Sequence, residues 1–370
     1  MNNQELNSRT MKVAKRSDLS GEDTARNIDP GFRAGRSTIS CARRGGPYGY
    51  ALNALNVIWL ALAVGFLLIP DVARAQQYVF SQPIIFPGDA FTQLLGINDA
   101  DVISGYHGMI INKGFTLNLP STFTSENFPD SAQTQVTGIN NAGDTSGFYI
   151  DNAGTNHGFL NMNGNFSTVD FPGTTFNQVL GLNNTGQAAG YFQASSGFQT
   201  AFTFNPFLPV GTQFTLLNLP GSGQATGIND NGQVSGFFAT SPTTDDGFLL
   251  SAGRLTTLSF PGSTFTQALG LNNAGQVVGL YNDAAGFSHG FIFSGGVYTA
   301  LNFPGAIDTT VNGINNSGKF VGFSLEPDGS TVGFVGGPLV VPEPSLFSLL
   351  ALGSTALVGM CILRSRRSLR

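Results

Sequence analysis

Across residues 260–305 the apolar positions fall in short alternating runs, with no window of helical period. Two runs, 266–272 and 276–281, flank Asn272-Asn273-Ala274-Gly275. That is hairpin chemistry, in which an Asx side chain starts the turn and Gly takes the left-handed position. A third run at 290–293 is followed by Ser294-Gly295-Gly296, and a fourth at 297–303 ends in Pro304-Gly305. Four short strands in about 40–45 residues predict one blade of a β-propeller.

The pattern recurs along the chain. A glycine before Ile-Asn or Leu-Asn stands at Gly96, Gly138, Gly181, Gly227, Gly270 and Gly313, about 43 residues apart. A second glycine follows nine residues later each time, at Gly105, Gly147, Gly190, Gly236, Gly279 and Gly322. The turn asparagine is present in all six copies, as Asn98, Asn140, Asn183, Asn229, Asn272 and Asn315. Three residues before the first glycine lie Gln93, Gln135, Gln178, Gln224 and Gln267, with Thr310 in the sixth copy. Asp101 stands where the first turn would have glycine, at some backbone cost.

Six such repeats predict an all-β, six-bladed propeller over residues 76–338. A lone run at 78–86, ending in Pro87-Gly88, matches the fourth strand of the other copies, and the last copy stops after Gly333-Phe334-Val335 without one. The N-terminal run is therefore expected to complete the last blade and close the ring, which removes unpaired edges. An open β-solenoid is the alternative, and it would want shorter rungs and terminal caps.

Charge narrows the partners. The whole chain carries −5, but between 76 and 343 sixteen acidic side chains face only Lys113, Arg254 and Lys319, a net of about −13. Such a field repels phosphate backbones and argues against nucleic acid. Cys41, Cys361 and Trp59 all fall outside the array, which leaves it without a disulfide, thiol chemistry or a tryptophan for stacking on sugars.

The two ends read as addresses. Residues 1–49 are polar with no apolar period and look disordered. Arg43-Arg44, an apolar run at 51–69 and Ala73-Arg74-Ala75 follow the order of a secretory signal peptide, with cleavage expected after Ala75. The long stretch ahead of it is either a genuine extension or a start site placed too early, and a plain transmembrane anchor is the other reading of the run. At the far end, Val341-Pro342-Glu343-Pro344-Ser345 precedes an apolar run at 346–363 and then Arg364, Arg366, Arg367 and Arg370. The run is long enough to span a bilayer, and the arginines would hold the C-terminus on the cytoplasmic side.

This tail, residues 339–370, closely resembles the PEP-CTERM sorting signal of Gram-negative bacteria, with the motif intact at Pro342, Glu343 and Pro344. The resemblance implies recognition by an exosortase-type membrane enzyme, cleavage near the motif, and delivery to the cell surface or extracellular matrix after transient anchoring. The array is similar to the extracellular repeats named for a His-Ala-Phe triplet, which often accompany such tails. The matching triplets include Lys113-Gly114-Phe115, His157-Gly158-Phe159, His289-Gly290-Phe291 and Val332-Gly333-Phe334, none a strict match. That resemblance implies the architecture and the export route, and it carries no defined activity.

Motifs that suggest chemistry mostly dissolve on inspection. Gly286-Phe287-Ser288-His289-Gly290 matches a nucleophile elbow, but it enters a strand where the elbow needs a strand–turn–helix. Gly313 to Lys319 nearly matches a P-loop, but Phe320 stands where Ser or Thr must hold magnesium. His157 and His289 occupy one repeat position in opposite blades, too far apart to share a metal, so with His107 they read as surface or turn-capping residues. Asp99 with Asp101, or Asp245 with Asp246, would be starting points for a calcium site, though no EF-hand or nonapeptide spacing supports one. The repeated asparagines read as turn starters, and the repeated glutamines either ring a central channel or satisfy backbone groups between blades.

The sequence therefore describes an exported, surface-sorted propeller acting as a structural or binding module, with envelope or matrix polysaccharide or surface proteins as partners. The competing reading is an extracellular glycan-active enzyme with its site at the channel mouth. A glycosidase needs two carboxylates at a set separation, and the array offers only Glu126, Glu326 and Glu343 as glutamates, the last inside the sorting motif.

Overall fold

The computed structural model describes residues 76–339. The signal-peptide positions Ala73 and Ala75, the motif Pro342-Glu343-Pro344, the apolar run and the arginines after it lie outside the described residues. Within them the chain forms six four-stranded antiparallel sheets. Five sheets use four consecutive strands in chain order, as in blade 1 with Thr92–Ile97, Val102–His107, Lys113–Asn118 and Thr122–Ser125. In the sixth, Asp308–Ile314, Phe320–Leu325 and Thr331–Pro338 are completed by Tyr78–Phe80, in register Tyr78↔Pro338. The N-terminal strand closes the ring as expected. It is shorter than residues 78–86, however: pairing stops after Phe80 and resumes only as a bridge between Ile84 and Gly333. The interruption contains Pro83, which has no N–H for the ladder.

The repeated glycines have two separate jobs, both set by backbone crowding. A methyl group on any glycine of the first set would lie 2.9–3.4 Å from the backbone of its equivalent in the next blade, so these six form the waist of the ring. Each glycine of the second set faces the wholly buried phenylalanine of its blade's triplet, for example Gly147↔Phe159 and Gly279↔Phe291. A methyl at Gly279 would come within 1.9 Å of the Gln267 carbonyl and 2.9 Å of the Phe291 ring. The triplet is thus a packing motif. Its phenylalanine fills the space the glycine vacates, and full burial of such a ring contributes roughly 1.5–3 kcal/mol.

The Phe-Pro-Gly segments between blades, Phe-Pro-Asp at Phe128, also pack by a rule. Their phenylalanines lie flat on a ring two residues past the second glycine: Phe86 on His107 at 3.5 Å, Phe128 on Tyr149 at 3.7 Å, Phe260 on Tyr281 at 3.5 Å. These rings overlap face to face, while edge-on contacts such as Phe128 to Phe166 at 5.5 Å and Phe260 to Tyr298 at 5.4 Å complete each cluster.

The ring has two ends. At the lower end lie the asparagine turns joining first and second strands. At the upper end lie the loops joining second to third strands and the crossings between blades. Both ends of the described chain leave from the lower end, because Pro338 packs against Gly318 in the last asparagine turn and the Leu339 N–H bonds Gln77.

Candidate functional site

Each inner strand carries a bulge at the same place, seen as a register slip such as Leu94/Gly96 or Val136/Gly138. The inner strands surround an axial pocket of about 420 Å³. Its upper layer consists of Gln93, Gln135, Gln178, Gln224, Gln267 and Thr310. The bulged residues form the next layer, and there the blades alternate: Leu95, Leu180 and Leu269 in the odd blades, Thr137, Thr226 and Asn312 in the even ones. Thr137 and Thr226 donate to the backbone of the following blade, at Val179 O (2.9 Å) and Ala268 O (2.8 Å), and Asn312 reaches Leu94 O at 3.4 Å. The expectation that the glutamines satisfy backbone groups between blades is therefore corrected. The polar bulge residues of the even blades do that, being closer to the next inner strand.

The glutamines instead line the pocket and bond other side chains. Tyr106 and Tyr191 donate their hydroxyls to Gln93 and Gln178 Oε1 at 2.8 and 3.0 Å, so the Nε2 groups remain to donate. Gln135 Nε2 donates to Asn112 Oδ1 at 2.7 Å, Gln224 Nε2 to Gln199 Oε1 at 3.1 Å, and Gln267 Nε2 to Asp245 Oδ2 at 2.7 Å. Burial pushes both tyrosine hydroxyls up to about 12, so they stay neutral donors. Around the glutamines stands a collar that repeat reading did not single out: Tyr106, Phe148, Tyr191, Phe237, Leu280 and Phe323. Each follows the second glycine directly, and five of six are aromatic, a signal present in the sequence. Chemically the pocket is a cup of amides, one of them bound to the Asp245 carboxylate, with the collar side chains beside them on the second strands and aliphatic side chains below.

The lower end is built differently. Every turn asparagine acts as the sequence suggests, with its Oδ1 accepting from the N–H groups two and four residues on, as Asn98 does from Ala100 and Val102. It also does something more. The Nδ2 groups of Asn98, Asn140, Asn183, Asn229, Asn272 and Asn315 each donate to the carbonyl of the equivalent asparagine in the next blade, at 3.0–3.4 Å, in a closed circuit.

A second circuit surrounds the first. The residues one position later, Asp99, Asn141, Asn184, Asp230, Asn273 and Asn316, each offer a backbone N–H to the next one's side-chain oxygen at 2.8–2.9 Å. Its two aspartates lie in opposite blades, and each receives two asparagine amides at 2.7–2.8 Å. Burial opposes their ionisation, but the amide hydrogen bonds outweigh it and hold both carboxyls below the usual range.

The histidines lie outside both circuits and the pocket lining. His107 pairs with Asp89 at 3.0 Å, His157 with Asp170 at 2.6 Å, and His289 with Asn302 at 2.9 Å and Asp283 at 3.1 Å. The acids considered for calcium have partners of their own: Asp99 in the lower circuit, Asp101 with Lys319 at 2.5 Å and Asn315 at 3.3 Å, Asp245 with Gln267 and Asp246 with Ser259. Among the described residues no three His, Cys, Asp or Glu side chains gather as a metal site would. Ser288 lies in a third strand and donates to Asn282, with no helix after it, and Gly313 to Lys319 is a turn between strands.

No family model and no curated protein matches the chain. Solved structures of similar shape include a putative TolB from Agrobacterium tumefaciens (12% identity, 71% of this chain and 91% of that one, TM-score 0.46). A mutant of the Aleuria aurantia lectin, in complex with Fucα1-6GlcNAc, aligns at 8% identity over 70% of this chain and 99% of its own, TM-score 0.43. A gluconolactonase from Xanthomonas campestris aligns at 10% over 72% and 99%, TM-score 0.44. Likeness at this level says nothing about ligand or reaction.

Proposed function

We propose that this protein is an exported, cell-surface or matrix-associated binding module whose axial pocket holds an uncharged, hydroxyl-rich group such as a polysaccharide end. The observation that carries the reading is the upper layer of the pocket, five glutamines and a threonine set inside an aromatic collar. Amides donate to and accept from hydroxyls without a charge penalty, and ring faces stack on the apolar face of a sugar. Of the acids, histidines and lysines traced above only Asp245 touches the pocket lining, as acceptor from Gln267, and a single carboxylate there favours holding a ligand over transforming it. Export and sorting rest on the order of the terminal segments in the sequence, with the Pro342-Glu343-Pro344 motif as the point of exosortase-type processing.

The test is a glycan screen of the full chain in detergent, with and without calcium, assaying each well for released reducing sugar. Saturable binding that weakens at least about tenfold in Gln93→Ala/Gln178→Ala supports the pocket as the site. Released sugar overturns the binding reading in favour of a glycan-active enzyme. Binding that the double variant leaves intact moves the site away from the axis.

A further inference from the structure

One lower-end feature breaks the repeat. Blades 2, 4 and 5 join third to fourth strand through two residues each, Asn163-Gly164, Ala252-Gly253 and Gly295-Gly296. Blade 3 uses nine, residues 205–213, with Phe207, Leu208, Pro209 and Val210 at their centre and no charged side chain among them. The insertion is a built loop. Asn205 N–H bonds Gln213 O at 2.9 Å, Leu208 N–H bonds Asn205 O at 3.3 Å, and Thr212 N–H bonds Pro209 O at 3.0 Å. The Phe207 ring lies so close over the Asn183–Gly186 turn that a methyl on Gly186 would meet it at 2.9 Å. Even so, Phe207 is 69% and Val210 92% exposed. Such a segment suits an apolar phase, but the upper loop also exposes Met109, Ile110 and Ile111, so the point where the chain leaves the ring decides which end meets it.

The chain leaves the ring from the same lower end as this loop, by the opposite blade. Leu339 is at the lower end, and only residues 340–345 separate it from the apolar run 346–363. Seven Cα steps reach about 25 Å at full extension. A strand of six or seven residues is itself about 20–23 Å long. Bringing the pocket end to a membrane would need that linker stretched almost straight up the side of a blade, whereas the lower end lies within easy reach.

We infer that, in the membrane-anchored chain, the lower end of the ring rests on the bilayer with the Phe207–Val210 segment in the interface, and that the axial pocket opens away from the membrane. This rests on reading 346–363 as a membrane segment. The occupant is the lipid surface itself. The loop has the uncharged, apolar, proline-braced character that suits the headgroup boundary, and the acidic domain around it favours zwitterionic over anionic lipid. The same placement gives the pocket its purpose, because a ligand from outside meets an open mouth.

The experiment uses the full chain with Trp59→Phe as background, reconstituted in phosphatidylcholine vesicles carrying bromine on the upper acyl chain. Val210→Trp reports on the lower loop, and Ile110→Trp, at a site 86% exposed on an upper loop, reports on the pocket end. Both sites are at the surface, so neither substitution threatens the fold. The expected result is bromolipid quenching of at least about twofold at 210 and none at 110. Quenching at 110, at both positions or at neither overturns the proposal. Protein that fails to float with the vesicles at all defeats the anchor reading and the proposal with it. Neither of those results bears on sugar binding, which the glycan screen measures separately in detergent.

Discussion

The two ends of the axis are made from the same six repeats, yet they differ in what their amides do. At the lower end every amide of the two circuits is spent on another blade, and each turn asparagine makes three or more hydrogen bonds, as Asn272 does with Ala274, Gln276 and Asn315. At the upper end each glutamine makes one such bond to a side chain and keeps hydrogen-bonding capacity facing the pocket. Saturated polar networks stabilise and rigidify, while partly free ones are available to a ligand. On the proposed function, stability rests with one end and recognition with the other, and variants can separate them.

The largest effect is expected from Asn272→Ala. It leaves two turn N–H groups and a cross-blade carbonyl without a partner, and should cost on the order of 2–3 kcal/mol. For a domain of this size that is a fall in Tm of roughly 5–10 °C, with ligand affinity unchanged. Calorimetry together with a binding titration checks both halves. A drop in affinity alongside stability would show that the ends are coupled.

Asp99→Asn should cost about 1–2 kcal/mol at neutral pH, because two asparagine amides would then face a third donor. The pH profile gives a second handle. Asp99 and Asp230 ionise more readily when folded, so their contribution is present above the unfolded carboxylate pKa, about 3.9, and is lost as pH falls through the lower folded values. Urea midpoints measured from pH 6 downward should drop below about pH 4, and less steeply in Asp99→Asn. Parallel acid limbs for the two proteins would remove the aspartates from the account.

The opposite pattern is expected for Gln93→Ala/Gln178→Ala. Stability should change by less than about 1 kcal/mol, since each loses one bond in a wet pocket, while ligand affinity drops. A large Tm loss would mean that the upper amides are structural as well.

The smallest effect should come from Tyr106→Phe, which removes one donor to Gln93. Tyr106 and Tyr191 have raised folded pKa values of about 12 against about 10 when unfolded, so they stabilise fully below pH 10 and lose that contribution as pH climbs towards 12. The alkaline loss of stability should be shallower in the variant. An identical alkaline limb would place its origin elsewhere.

A good part of this was legible in the chain. The number of blades, the strand order within each and the closing strand follow from the spacing of glycines and turn asparagines. Those are local signals, each set by a turn or a close approach within one repeat. The positive φ of Asp101, +61°, also falls where the missing glycine suggested. The pocket glutamines were visible as a repeated position, but their orientation was not, and the collar after the second glycine carried an aromatic signal without a stated use. The break at Pro83 was foreseeable from its missing N–H.

What the tertiary structure alone decided are the contacts between blades. The partners in both lower circuits are 42–46 residues apart along the chain, or 217 where the ring closes. No periodicity within a repeat tells an asparagine amide to reach its own equivalent next door. Nor does it tell which of two polar residues, the glutamine or the bulged threonine two places on, lies nearer the neighbouring strand. The sequence determines each blade because hydrogen bonds and side-chain alternation act over a few residues. The ring decides the rest, because only closure brings equivalent atoms of successive blades within 3 Å and leaves one end of the axis saturated and the other open.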